Sequence, residues 1–379
     1  GASVEAYGDC LIVQSFADLH LHAPQYPMLG MGMELPLLDW LNAYAFPTEA
    51  RFADTGYARE IYSRLARELI ANGTTRVCMF SSLHTDATLI LMEELEKAGV
   101  TGYVGKVNMD RNAAPGLLEE TTEESRRETL RWLDACQDFR LVKPMLTPRF
   151  TPSCTNELMA FLGKLAAERD LPVQSHLSEN RSEIAWVGQL HPECASYTEV
   201  YRDYGLLRRG CTIMAHAVHL TGREEAILRE EGVTLAHCAQ SNTNLSSGVM
   251  PLRRSLSEGL RCCVASDVAG GHAAAMNRHV AATVGLSKLR ALDHPEERLL
   301  SLPEALYLAT KGPGEFFGKV GSFEPGYDFD ALVVDVDELD GRLSRTPFEK
   351  LEQFLYDGDD RDILARYSRG SLVEKPFTE

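Results

Sequence analysis

The sequence predicts an α/β fold: a (β/α)8 barrel of the TIM type, with a small accessory β unit formed by the C-terminal tail and any N-terminal strands. Apolar, β-rich runs alternate along the chain with stretches that carry apolar residues at helical spacing, a pattern typical of parallel sheets. The strand-like runs number eight, which is enough to close a barrel. The length of 379 residues suits one barrel and a smaller unit.

The predicted elements follow one another in a regular order. Strands are expected at residues 10–13, 75–80, 103–107, 141–146, 172–176, 212–216, 233–237 and 262–267. Helices are expected at residues 58–71, 121–136, 156–168 and 223–231, the first of them ended by Gly73 as a C-cap. A turn and strand at 326–335 follow a different pattern. We therefore predict a barrel over residues 8–319 and a C-terminal β segment of the accessory unit, with the tail, over residues 320–379.

The composition excludes several classes of function. A net charge of −17 gives no electrostatic reason to bind nucleic acid or an anionic membrane. The nine cysteines are odd in number, irregularly spaced and without a C-x-x-C pair, so neither a disulfide framework nor a cysteine zinc site is expected. There is no apolar run near 18 residues and no pattern of a signal peptide. A reducing, cytoplasmic setting fits these features best.

The run Asp18-Leu19-His20-Leu21-His22 is the first candidate for chemistry. Side chains alternate faces along a strand, so His20 and His22 project to the same side. Two imidazoles on one face can chelate a divalent metal ion, although a pair of surface histidines gives the same pattern.

Further polar residues stand at the ends of later strand-like runs, where barrel enzymes place their chemistry. They are Arg149, His176, His216, His237 and Asp267. His176 is expected as a third ligand and Asp267 as a fourth, while His216 either binds the metal or contacts its water. Asp267 would otherwise be a helix N-cap. Three histidines and one aspartate suit zinc with an open position for water.

Glu179 follows His176 by three residues, and a turn there would bring its carboxylate over the site as a proton shuttle. It would otherwise be an acid at the start of the next helix. Phosphate-binding glycine loops and a G-x-S-x-G elbow are absent from the sequence. The middle strands carry no lysine at their ends, which favours one metal ion. Together these features describe hydrolytic attack on an electrophilic carbon.

The order of these residues resembles the amidohydrolase superfamily in its mononuclear deaminase branch. Nine segments resemble the guanine deaminases within it: residues 22–26, 35–41, 46–47, 82–86, 105–110, 147–150, 174–180, 267–271 and 352–361. The likeness extends over roughly residues 8–367. It implies hydrolysis of guanine, a purine base, to xanthine and ammonia by a homodimer with one zinc ion per chain.

The resemblance also implies roles for single residues. The implied zinc ligands are His20, His22, His176 and Asp267. The implied catalytic residues are Glu179 and Asp267 as proton shuttles, with His216 close to the metal water. The implied substrate contacts are Gln25, Arg149 and Phe150, together with His176, Glu179 and Asp267. Arg149 would otherwise form a salt bridge at the barrel mouth, and Phe150 would otherwise be core. His84 and His237 are expected as no more than neighbours of the ligands.

The sequence departs from the resemblance in two places. Residues 239–244 differ from the usual proline-containing turn after the seventh strand, next to the pocket. This keeps open a related substrate, such as 8-oxoguanine, a pterin or a triazine. Iron in place of zinc also stays open, because iron can occupy similar sites. Only seventeen residues precede Asp18, so the accessory unit is expected to be trimmed or reduced, with an unpaired edge. A non-catalytic scaffold is the alternative from another class, but it would lose metal ligands.

Overall fold

The computed structural model of the protein describes residues 4–336 and 345–373. Its strands are β1 Leu11–Gln14, β2 Phe16–His22, β3 Thr74–Phe80, β4 Thr101–Gly105, β5 Val107–Asn108, β6 Val142–Pro144, β7 Thr147–Pro148, β8 Val173–Leu177, β9 Thr212–His216, β10 Thr234–His237, β11 Arg261–Val264, β12 Ala331–Val334, β13 Ile363–Ser368 and β14 Ser371–Val373. Its α-helices are α1 Leu37–Trp40, α2 Phe46–Ala50, α3 Thr55–Ala71, α4 Thr85–Lys97, α5 Thr122–Ala135, α6 Asn156–Glu168, α7 Arg181–Leu190, α8 Tyr197–Asp203, α9 Gly222–Glu230, α10 Ala239–Asn244, α11 Leu252–Ser257, α12 Met276–Asp293, α13 Leu302–Tyr307, α14 Lys311–Gly314 and α15 Pro347–Tyr356. Within these described ranges, no helix combines the length and apolarity that crossing a membrane requires.

Parallel strands form a closed ring. Strands β2, β3, β4 and β6 pair in that order, and β8, β9, β10 and β11 form a second parallel series. Leu146 bridges to Val173, which joins the first series to the second. At the other seam the backbone N–H of Asp267 donates to the carbonyl of His20 at 2.8 Å. These bonds confirm the predicted (β/α)8 barrel.

The predicted helices are confirmed, with bounds that differ by up to three residues. The first, α3, is capped at its start by Asp54, whose carboxylate accepts from the backbone N–H groups of Gly56 and Tyr57. After α3 the chain turns back at Gly73, which has φ +81°. A side chain there would be strained by this φ and would meet the Leu332 side chain of β12 at 2.5 Å, so glycine allows the second sheet to pack closely against this turn.

A second sheet has the strand order β1-β12-β13-β14, with antiparallel pairing throughout. The prediction that residues 10–13 form the first barrel strand is wrong, because that run becomes β1 and the barrel begins with β2. The two runs are adjacent in sequence and both apolar, so composition alone does not separate them. The division between residues 8–319 and 320–379 stays a prediction, and residues 337–344 and 374–379 lie outside the described residues.

Candidate active site

A cavity of about 40 Å³ lies at the carboxyl ends of the barrel strands. Its polar lining is His22, Gln25, Arg149, His176, Glu179, Glu183, His216 and Asp267. Leu37, Trp40, Leu41, Phe150 and Leu245 complete it with apolar surface. His20 precedes His22 on β2 and is completely buried beneath the cavity. The predicted site residues, which come from distant parts of the sequence, therefore meet at one place.

Three imidazoles and one carboxylate converge at the floor of this cavity. His20 Nε2 lies 3.1 Å from Asp267 Oδ1, and His22 Nε2 lies 3.5 Å from the same oxygen. His22 Nε2 lies 3.1 Å from His176 Nε2. The backbone at Asp267 has φ +49°, a region that non-glycine residues rarely adopt, and this turn directs the carboxylate back towards the histidines.

The unpaired nitrogens of the cluster fit a metal ion. Both ring nitrogens of His20 and the Nδ1 of His22 are buried without a hydrogen-bond partner. His176 Nδ1 donates to the carbonyl of Arg149 at 2.6 Å, so the lone pair of its Nε2 faces the cluster. Buried polar atoms without partners are costly, and a shared cation would bind one nitrogen of each ring.

The protonation states suit metal binding as well. Burial lowers the pKa of His20 and holds the pKa values of His22 and His176 well below their usual range. Burial alone would raise the pKa of Asp267, but the ring of His20 and the other histidines outweigh it and hold that pKa well below its usual range. Neutral imidazoles beside an ionised carboxylate are the ligand forms that zinc binds.

Cys238 lies closer to this cluster than the sequence indicates. Its sulfur is within 4.8 Å of ligand atoms of His20, His216 and Asp267. Burial raises the pKa of the thiol well above its usual range, and the Sγ donates to the carbonyl of Ala236 at 3.4 Å. Because metals bind the thiolate, this protonated sulfur is a poorer donor than the three imidazoles.

Glu179 reaches the cavity through a fixed turn. Ser178 has φ +48°, and the backbone N–H of Glu179 donates to Glu183 Oε2 at 3.0 Å, next to the capping box that starts α7. Ser247 Oγ donates to Glu179 Oε1 at 2.9 Å. Burial raises the pKa of Glu179 to about 7. The carboxyl group therefore has a pKa suited to proton transfer near neutrality.

His216 stands between the two carboxylates. Its Nε2 lies 3.5 Å from Glu179 Oε2 and 3.9 Å from Asp267 Oδ2. Burial alone would lower the pKa of His216, but these carboxylates outweigh it and raise that pKa. Asn242 on α10 contacts the other ring nitrogen. Asn242 and Ser247 both come from the segment after the seventh barrel strand, and their contacts with the site were not predicted from the sequence.

The predicted substrate contacts have partners of their own. Of the two roles considered for Arg149, the structure contains the salt bridge, which joins it to the buried Glu49. Phe150 lines the cavity and makes an edge-to-face contact with Trp186 at 6.0 Å between ring centres. His84 and His237 line two other cavities and do not belong to the cluster of three imidazoles and one carboxylate.

The chain is similar to known proteins along most of its length. The model of the amidohydrolase family matches residues 11–373. The guanine deaminase of Rattus norvegicus is 41% identical over 377 residues, which cover 95% of this chain and 82% of the relative. The guanine deaminase of Escherichia coli (strain K12) is 34% identical over 379 residues, which cover 98% and 84%.

A solved structure agrees with these sequence matches. The crystal structure of guanine deaminase from C. acetobutylicum, with bound guanine in its active site, has a TM-score of 0.93 and 45% sequence identity. The match covers 97% of this chain and 88% of that one. The chain therefore belongs to the amidohydrolase family, and it groups there with the guanine deaminases.

Proposed function

We propose that this protein is a guanine deaminase, a hydrolase that converts guanine and water to xanthine and ammonia. The observation that carries the proposal is the cluster of three imidazoles and one carboxylate with unpaired nitrogens, next to a buried Glu179 at the end of the barrel. The likeness to guanine deaminases over almost the whole chain supports this choice of substrate.

We assign one zinc ion per chain to His20, His22, His176 and Asp267. When bound, the ion acts as a Lewis acid and makes water a stronger nucleophile near neutral pH. The two oxygens of Asp267 have different neighbours. Oδ1 lies beside His20 and His22, and Oδ2 lies on the side of His216. Oδ2 is therefore free to accept the proton that the attacking water loses.

Glu179 delivers a proton to the ring nitrogen next to the amino-bearing carbon. Since Ser247 donates to its Oε1, the other oxygen, Oε2, is left to face the substrate and His216. Its pKa of about 7 allows it to give up and regain a proton within each turnover. His216 stabilises the negative charge that forms between the two carboxylates. Asp267 then passes its proton to the amino group, the C–N bond breaks with release of ammonia, and the hydroxyl proton of the tetrahedral carbon returns to Glu179 as the carbonyl of xanthine forms.

Gln25, Arg149 and Phe150 hold the base. An amide offers both a donor and an acceptor, and a guanidinium donates to a purine carbonyl oxygen. Phe150 supplies apolar surface for the ring at the cavity wall. These contacts orient the amino-bearing carbon towards the metal cluster.

The test is ammonia release by zinc-loaded protein from guanine, with 8-oxoguanine, a pterin, a triazine and adenine in parallel. We expect strong preference for guanine. Preference for another heterocycle would keep the hydrolytic mechanism and overturn the choice of substrate. One observation favours keeping that second candidate in the panel: Leu245, Asn242 and Ser247, in or beside the divergent segment 239–244, contact the cavity or its catalytic groups.

We further propose that the protein works as a homodimer in the cytoplasm. The nine cysteines are free thiols, which suits a reducing compartment. Leu289 and Leu292 on α12 are 60% and 78% exposed, which suits contact with a second copy. Light scattering of the purified protein gives the mass that decides the assembly state.

A further inference from the structure

Glu49 is a buried carboxylate behind the cavity wall, in contact with two lining residues, and the sequence patterns do not single it out. It lies on α2, between the first two barrel strands, and is 1% exposed. Its Oε1 accepts from Gln25 Nε2 at 2.7 Å and from Arg149 Nη2 at 2.9 Å, while its Oε2 accepts from Arg149 Nη1 at 2.5 Å. The Glu49 side chain thus holds both Gln25 and Arg149, the two polar residues proposed to contact the purine base.

The bonds fix the direction of the Gln25 amide. Its Nε2 donates to Glu49, and its Oε1 accepts from the backbone N–H of Ala269 at 3.0 Å. A flipped amide would place its oxygen against the Glu49 carboxylate and its NH2 group against the Ala269 N–H, so both contacts would become repulsive. One N–H and one lone pair of Gln25 remain for a ligand. The acceptor and donor pattern at the cavity is therefore set by Glu49.

The same carboxylate fixes and neutralises Arg149. The pair is bidentate, which holds the planar guanidinium in one orientation, and its two side chains are 4% and 1% exposed. Arg149 without this partner would be an uncompensated buried cation, which strongly attracts anions. With Glu49 in place, the remaining N–H groups of Arg149 donate from a pair whose net charge is zero.

We propose that Glu49 is a positioning residue that makes the site selective for a neutral purine base over an anionic one. Glu49 orients Gln25 and Arg149 so that both can hydrogen-bond to the edge of the purine base. Its negative charge also balances the positive charge of Arg149, which would otherwise favour an anion. The inference rests on the proposed function. It has a direct consequence for turnover, because xanthine loses a ring proton more readily than guanine, and a cationic site would retain the anionic product.

Glu49→Gln tests both parts of the proposal, since it keeps the shape of the side chain and removes its charge. Kinetics on guanine should show kcat/KM reduced roughly 10–100-fold, mainly through a higher KM, with zinc content unchanged. Xanthine binding is measured by calorimetry in the zinc-loaded and the metal-free protein, below and above the pH at which xanthine loses its proton. The variant should bind the anion roughly tenfold more tightly than the wild type does. Unchanged KM together with an unchanged ratio of anion to neutral affinity would overturn the proposal.

A second variant keeps the test decisive if Glu49→Gln does not fold. Glu49→Asp retains the charge but is one methylene shorter, so it cannot reach Gln25 and Arg149 together. We expect a raised KM for guanine with no gain in affinity for the xanthine anion. A KM for guanine equal to that of the wild type would contradict the positioning role.

Glu119→Gln is the matched control for the loss of a buried ion pair. Glu119 pairs with Lys106 at 2.5 Å, with side-chain exposures of 3% and 0%, and neither lines the cavity. Glu119→Gln should lower the melting temperature. It should leave unchanged the KM for guanine and the ratio of the affinities for anionic and neutral xanthine.

Wild-type behaviour separates this inference from the proposed function. A wild type that deaminates another heterocycle overturns guanine as the substrate, and the Glu49 variants are then compared on that heterocycle. Should the wild type bind neither guanine nor xanthine, both the function and the role of Glu49 would be overturned. Wild-type turnover of guanine with unaffected Glu49 variants would overturn the inference alone.

Discussion

The Nδ1 of His216 lies 2.9 Å from the Oδ1 of Asn242, and both side chains are buried. Because the amide oxygen only accepts, His216 donates from Nδ1, and its Nε2 is the atom that faces Glu179 and Asp267. The Nδ2 of Asn242 has no partner, so the contact with His216 is the hydrogen bond that its side chain makes. Asn242 therefore sets the tautomer and the ring orientation of His216.

Asn242→Ala should reduce kcat on guanine roughly 10–100-fold, because His216 loses the partner that orients it. Asn242→Asp keeps an acceptor for Nδ1 and should recover part of that loss. The measurement is steady-state kinetics with zinc content determined on the same samples. Asn72→Ala, in a capping position at the end of α3 and away from the cavity, is the control. Equal kcat in the Ala variant and the wild type would remove Asn242 from this role.

The barrel and the cluster of three imidazoles and one carboxylate could be predicted from the sequence for a physical reason. Parallel strands place all their carboxyl ends on one side of a barrel, so His20, His22, His176 and Asp267 converge there whatever the connecting segments do. The strand pattern alone ends the predicted strands at His176 and Asp267, but it ends the first strand at residue 13, short of His20 and His22 on β2. Their pKa shifts then follow from burial and mutual contact.

The contacts of the connecting segments could not be predicted in the same way. Glu49, Asn242 and Ser247 lie outside strands, and nothing in their local sequence specifies which side chain they reach. Their partners are fixed by tertiary packing between segments separated by as many as 100 residues. The assignment of residues 10–13 to the barrel failed for a related reason, since the partner strand β12 lies far along the chain.

Glu179→Gln should keep the bound metal and lose turnover by roughly 10²–10⁴-fold, because an amide cannot exchange a proton near neutral pH. Folding should change little, since the amide oxygen still accepts from Ser247. The measurements are ammonia release, metal analysis and binding of guanine to the inactive variant. Glu225→Gln, which disturbs a buried carboxylate paired with Arg254, is the control. A Glu179→Gln enzyme with near-normal turnover would show that another group carries the proton.

Removal of the metal should abolish deamination and lower the melting temperature. The buried rings of His20 and His22 then lose the ion that binds one nitrogen of each. A ligand present at a thousand times its dissociation constant stabilises the folded state by about 4 kcal/mol, which sets the scale of the expected loss. The measurement is calorimetry of chelator-treated protein before and after titration with zinc. His22→Ala should show a much weaker response to zinc. Full activity without bound metal would contradict the assignment.

Arg366→Met should destabilise the protein by about 3 kcal/mol while leaving deamination unchanged. The guanidinium of Arg366 is buried at 1% exposure and donates to the carbonyls of Ile70 and Ala71, which end α3, and to that of Ile363. Methionine fills the volume but removes the donors to the Ala71 carbonyl, so the second sheet loses one of its polar links to the barrel. Urea unfolding gives the free-energy change, with the exposed Arg369→Met on the same hairpin as control, expected within about 0.5 kcal/mol of the wild type. Equal stability of the two variants would mean that the hydrogen bonds of Arg366 do not stabilise the junction between the sheet and the barrel.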